Sequence, residues 1–138
     1  MSKLLHPDYN SPGELKAFLE SRGMAMQKKF GQNFLINEQA RIKLIDALDI
    51  DENTTVWEVG PGLGAMTSEI LKRGAKLTVF EIDKGFAAML KEFFKDYSDN
   101  GKFKIVEGDV LKTGKKNSTN MENPIDSLEI SLTTLQQL

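Results

Sequence analysis

Three places in the 138-residue sequence hold residue types that could do chemistry together. The first is Glu58-Val59-Gly60-Pro61-Gly62-Leu63-Gly64, an acid followed by three alternating glycines. The second is Glu81, in Val79-Phe80-Glu81-Ile82-Asp83. The third is Asp109, in Glu107-Gly108-Asp109-Val110-Leu111. Glycine lets a backbone turn sharply and come close to a ligand, because no Cβ intervenes. A carboxylate accepts hydrogen bonds from hydroxyls, amines or amides, and it favours a cation nearby. A glycine loop with acids spaced around it therefore suits a polar, nucleoside-like ligand that carries donors and positive charge.

Two fingerprints fit the loop. Gly60, Gly62 and Ala65 satisfy G-x-G-x-x-G/A, the pattern that holds a dinucleotide. Glu58 with Gly60, Gly62 and Gly64 satisfies the acid-x-G-x-G-x-G form of enzymes that use S-adenosylmethionine. A plain turn between a strand and a helix is the third reading of the same residues. A diphosphate needs backbone amides and a helix N-terminus, and Pro61 removes one amide. Glu58 also puts a carboxylate near the ligand, which suits a zwitterionic amino acid on a sulfonium better than a diphosphate. Glu81 at a strand end can accept from both ribose hydroxyls, a role common to both cofactors. Asp109 can accept from the exocyclic amine of adenine.

The elements that must position these residues alternate. Ser11-Pro12-Gly13-Glu14 reads as a capping box, with Ser11 and Glu14 bonding reciprocally and Pro12 at the first helical position. A helix is predicted over 12–22, stopped by Gly23. Asn37 caps a helix over 38–48. Strands are predicted at 54–59, 76–82 and 102–107 from their β-branched and aromatic residues. Helices over 64–73 and 84–96 separate them, and Asn100-Gly101 makes a turn. Strand–helix alternation argues for a parallel α/β sheet with right-handed crossovers. The expected strand order is 3-2-1, half of a doubly wound sheet whose ligand lies at the carboxyl ends of the strands. Strand 1 should have a further neighbour on its far side. The segment Leu128-Glu129-Ile130-Ser131-Leu132 alternates weakly and could be a strand.

Composition narrows the class. There is no cysteine, so disulfides, thiolate metal sites and cysteine nucleophiles are excluded. Eighteen basic and twenty acidic residues give a net charge of -2, without the global basic field of many nucleic-acid binders. No apolar run approaches the roughly 20 residues that span a bilayer, and the first residues show no signal peptide. A cytoplasmic protein is expected. His6 is the only histidine and reads as an exposed residue, not a base. No metal-ligand cluster is visible. Lys28-Lys29, Lys72-Arg73 and Lys115-Lys116 read as solvated pairs more than as phosphate contacts.

With Lys28-Lys29-Phe30-Gly31-Gln32-Asn33-Phe34-Leu35-Ile36-Asn37 added to the glycine loop, VFEID and EGDVL, the chain resembles the small-subunit ribosomal RNA adenine N6,N6-dimethyltransferase family. The likeness runs from about Ser11 to Lys112. The F-G-Q-N-F-L element makes it specific, because methyltransferases at large share only the glycine motif. It implies a Rossmann-like class I methyltransferase fold, S-adenosylmethionine as cofactor, and small-subunit ribosomal RNA as partner, with neither membrane nor metal. By the same resemblance Asn33, Leu35, Gly60, Glu81 and Asp109 contact the cofactor, with Glu58, Gly62 and Gly64 supporting. Phe30 and Phe34, read without the family, are core anchors.

The resemblance fades near Gly114. The family's Asn-Leu-Pro-Tyr motif, which positions the target base at the end of strand 4, does not occur in these residues. No catalytic residue is therefore assigned. The expected organisation is an N-terminal helix and cofactor-covering loop at 1–36, a Rossmann-like half-domain at 37–114, and a divergent, poorly ordered tail at 115–138. The chain is expected to be an incomplete fold cut after the third strand: a cofactor-binding fragment with weakened RNA binding and no catalytic competence alone. The runner-up readings are an inactive remnant and a nicotinamide-dinucleotide-binding fragment.

Overall fold

The computed structural model describes residues 6–24, 37–112 and 127–131. Helix α1 (Pro12–Ser21) starts where the Ser11 hydroxyl accepts from the Glu14 amide at 3.3 Å. The reciprocal half of the capping box does not form. The Ser11 amide instead donates to the Asp8 carbonyl at 3.1 Å, and the Glu14 carboxylate takes the Asp8 amide at 3.0 Å. At the other end Gly23 has φ +67°. The amides of Gly23 and Met24 close back onto the carbonyls of Glu20 and Leu19 at 3.0 and 2.9 Å, which satisfies the last helical acceptors. Helix α2 (Glu38–Ala47) is capped as expected, with the Asn37 side chain accepting from the Ala40 amide at 3.1 Å.

The strands β1 (Thr55–Val59), β2 (Lys76–Glu81) and β3 (Phe103–Glu107) pair in parallel, with β2 between the other two. Helix α3 (Ala65–Lys72) connects β1 to β2. Helix α4 (Lys84–Phe93) follows β2, capped by Asp83, whose carboxylate accepts from the Phe86 amide at 3.0 Å. The sequence predicts one helix over 84–96. The chain instead breaks at Phe94 (φ -114°, ψ 26°) and resumes as α5 (Lys95–Asp99). Phe93 and Phe94 are both buried at the break. Phe93 is 4% exposed and Phe94 2%, and the Phe94 ring lies edge-on to Phe103 at 5.4 Å.

The core is apolar and continuous: Leu15, Ile45, Val56, Ile70, Val79 and Leu90 are fully buried. Each such side chain contributes about 1.5–3 kcal/mol on burial. Strand β2 is buried on both faces after its first residue, as befits an interior strand. Strand β1 alternates, with Val56 and Glu58 inward.

The sheet has a fourth strand, in the segment the sequence offers as a possible one beside strand 1. Strand β4 (Ser127–Ser131) pairs in parallel with β1, from Thr55 opposite Ser127 to Val59 opposite Ser131. The full order is β3-β2-β1-β4. The pairing falls on the weakly alternating segment of a tail otherwise expected to be poorly ordered. Its physical basis is the row of backbone donors and acceptors that β1 presents on the side away from β2, which must be paired or left at an exposed edge.

Proline cannot donate to a ladder. The double variant Leu128→Pro/Glu129→Pro should remove a donor from β4 whichever of the two amides faces β1. A loss on the order of 1–3 kcal/mol is expected, together with concentration-dependent self-association. Denaturant unfolding and light scattering check it. An unchanged midpoint with a monodisperse monomer would mean that β4 does not cover β1.

Candidate functional site

The parallel register carries three strand ends to one edge. The Gly60 amide donates to the Phe80 carbonyl at 2.9 Å, and the Gly108 amide donates to the Glu81 carbonyl at 2.9 Å. The glycine loop, Glu81 and the Gly108-Asp109 step therefore sit side by side, one ladder spacing of roughly 4.8 Å apart. This is the crevice at the carboxyl ends of the strands where open α/β sheets bind ligands.

Within the loop Gly60, Gly62 and Gly64 have φ of +68°, +58° and +87°, a region that L side chains avoid. Among the described residues, a Cβ on Gly60 or Gly62 would meet nothing within 4 Å. With respect to those residues the loop leaves open space above these two glycines. Gly64 faces the other way. A Cβ there would lie 2.8 Å from both Leu90 Cδ2 and Phe94 Cε2, so the loop backs directly onto α4 and its break.

Glu81 is 8% exposed. One carboxylate oxygen accepts from the Asp83 amide at 3.0 Å, the other from the Gly62 amide at 3.4 Å. Burial pushes its pKa up, opposed by these amide bonds. Each oxygen keeps a second lone pair for a ligand donor. Asp109 is half-buried, and its carboxylate accepts from the Leu111 amide at 2.9 Å.

Glu58 sits behind the loop and has no exposed surface. One oxygen accepts from the Thr67 hydroxyl of α3 at 2.6 Å. The other has no partner among the described residues. Burial raises its pKa to about 7, with Thr67 pulling it down and Glu81 pushing it further up. Thr67 (fully buried) and Tyr9, whose hydroxyl donates to the Leu63 carbonyl at 2.7 Å, complete this layer. Neither is visible in the motif. A threonine nine residues after the acid is the kind of signal that marks the first; nothing local marks the second.

Gly60, Gly62, Gly64, Glu58, Glu81 and Asp109 are thus brought together. Asn33, Leu35, Phe30 and Phe34 lie outside the described residues, as do Lys28-Lys29 and Lys115-Lys116. Lys72 pairs with Glu69 at 3.7 Å and Arg73 with Asp46 at 2.5 Å. His6 is half-buried and stacks on Tyr9, ring centroids 4.7 Å apart. Among the described residues no group of three His, Asp or Glu could hold a metal ion, and no helix is long and apolar enough to cross a membrane.

Comparison with known proteins places the chain. The family described as ribosomal RNA adenine dimethylase matches residues 23–132. The chain is 58% identical over 106 residues to ribosomal RNA small subunit methyltransferase A of Treponema denticola, covering 77% of this chain and 36% of the relative. It is 42% identical over 125 residues to the protein of the same name from Borreliella burgdorferi, covering 91% of this chain and 43% of the relative. The chain therefore spans well under half the length of these curated relatives. Among solved structures, the 23S rRNA methyltransferase ErmE superposes with a TM-score of 0.50 at 22% identity, covering 69% of this chain and 35% of that one. This likeness supports the Rossmann-like class I methyltransferase fold that the sequence predicts.

A pH dependence follows from Glu58. Its folded pKa of about 7 lies above the ordinary 4.5. Between these values the folded chain holds a proton that the unfolded chain has released. Stability should therefore fall as pH rises from about 4.5 to about 7 and level off above. The Glu58 share is on the order of 3 kcal/mol. Glu58→Gln keeps an acceptor for Thr67 and cannot ionise, so its unfolding free energy should fall less over this range. Equal pH dependence in both proteins would show that Glu58 does not titrate in this way.

Proposed function

The chain belongs to the ribosomal RNA adenine dimethylase family, and from that premise we propose that its crevice binds S-adenosylmethionine for N6 methylation of adenines in small-subunit ribosomal RNA. The observation that carries this reading is a glycine loop flanked by two carboxylates. Glu58 lies beneath the loop and Glu81 takes the Gly62 amide. A diphosphate would meet the Glu81 carboxylate and lose that amide. A ligand with an ammonium and a sulfonium gains from that acid, while Glu58 acts only from behind the loop. The open space above Gly60 and Gly62 fits the close approach of such a ligand.

In this reading the loop carries the amino-acid end of the ligand, Glu81 accepts from the ribose hydroxyls, and Asp109 accepts from the adenine amine. Asn33 and Leu35 complete the contacts, as the family resemblance implies. The bound cofactor supplies an electrophilic methyl group on sulfur. The protein's share of the reaction is positioning, because the attacking amine must be aligned with that methyl. The target adenine would be turned out of its stack to reach the crevice. These 138 residues contain the cofactor half of that arrangement. The base-holding Asn-Leu-Pro-Tyr motif does not occur in them, which supports weak RNA binding and little methyl transfer by this chain alone. The reading carries a cytoplasmic location with it.

The test is calorimetric titration with S-adenosylmethionine and, separately, with nicotinamide adenine dinucleotide. The first should bind and the second should not. A hydrogen bond to a charged acceptor contributes about 1.5–3 kcal/mol, so Glu81→Ala should weaken S-adenosylmethionine by roughly ten- to a hundredfold. Preferential binding of the dinucleotide, or an unchanged dissociation constant in a folded Glu81→Ala protein, would contradict the assignment.

A further inference from the structure

The described segment His6–Asn10 precedes α1 and lies against the glycine loop. Tyr9 is 6% exposed, and its hydroxyl donates to the Leu63 carbonyl at 2.7 Å across 54 positions of sequence. Leu63 is the residue between Gly62 and Gly64, at the turn of the loop. The neighbouring loop amides make other bonds, Gly60 to Phe80 and Gly64 to Pro61, with Gly62 to Glu81 longer at 3.4 Å. The Tyr9 bond ties the turn of the loop to a different part of the chain.

The segment is itself anchored. The His6 ring stacks on Tyr9 at 4.7 Å and lies 5.9 Å from Phe94, the residue against which Gly64 packs. At the other end the Asn10 side chain accepts from Arg41 of α2 at 2.5 Å. Burial and the nearby charge of Glu58 push the Tyr9 pKa upward, so its hydroxyl stays a donor throughout the working range of pH.

We infer that Tyr9 is a positioning residue for the glycine loop: its hydroxyl holds the Leu63 carbonyl and keeps Gly60–Gly64 in its ligand-ready shape before any ligand arrives. This rests on the reading of the loop as the S-adenosylmethionine site. The physical reason is entropic. Glycine has the most backbone freedom to lose, and three of five loop residues are glycine. Ordering them on binding would subtract from affinity; ordering them beforehand does not. A tyrosine is suited to this task because its ring packs in the core while its hydroxyl reaches a buried carbonyl.

The experiment is Tyr9→Phe, which keeps the ring and removes only the donor. In the ligand-free protein, amide hydrogen exchange at Gly62 and Gly64 should quicken by about three- to tenfold, with Val79 of β2 unchanged. S-adenosylmethionine titrated at a temperature where both proteins are fully folded should bind about three- to tenfold more weakly. Unchanged loop exchange overturns the inference, and so does unchanged affinity or equal acceleration at Val79, which would mark a general loss of stability. If the wild-type chain binds no S-adenosylmethionine, the functional reading falls. The exchange rates at Gly62 and Gly64 then decide on Tyr9 by themselves.

Discussion

Parallel pairing of β1, β2 and β3 is the constraint on which the remainder depends. A parallel ladder points all three strands the same way, so their carboxyl ends share one edge of the sheet. The bonds from Gly60 to Phe80 and from Gly108 to Glu81 are the last rungs of that ladder. They set the glycine loop beside Glu81 and Glu81 beside Asp109. A register slip of one residue would turn Glu81 to the opposite face and separate it from the loop. The site is therefore a property of the register.

Behind the loop the chain accepts an unfavourable term. An ionised carboxylate without exposed surface, and with one oxygen that has no partner among the described residues, is costly, and Glu58 responds with a raised pKa. The strain of three positive-φ residues is avoided only because all are glycine. What steadies such a loop comes from around it: Thr67 on Glu58, Leu90 and Phe94 against Gly64, and Tyr9 on Leu63. A local arrangement that could not be stable alone is thus held by the core on one side and by the segment before α1 on the other.

Much of this was legible in the sequence where the signal is local. The caps at Ser11 and Asn37, the stop at Gly23, and the strand–helix alternation each depend on residues within a few positions of one another. The acid and glycine spacing that brings Glu58, Gly60, Glu81 and Asp109 to one edge follows from that alternation. What escaped depends on distance along the chain. The break at Phe94 answers to Phe103 and Gly64, and the burial of Glu58 to α3. The Tyr9 bond spans 54 positions. The β4 pairing was legible in part: the sequence leaves β1 with a missing neighbour and offers 128–132 as a possible strand, and the structure joins the two across the 68 positions from Val59 to Ser127. The Glu14 carboxylate departs from the capping box for a smaller reason: the Ser11 amide has the Asp8 carbonyl available, and Glu14 takes the Asp8 amide.

The most direct test of the central claim, that three strand ends build one S-adenosylmethionine site, is amide chemical-shift mapping of the nitrogen-15-labelled chain during titration with that ligand. The account predicts saturable shifts concentrated at Gly60, Gly62, Gly64, Ile82 and Asp109, with Lys95 and Ser98 of α5 unmoved. Shifts absent at saturating ligand, or centred on α5 and away from these strand ends, would contradict it.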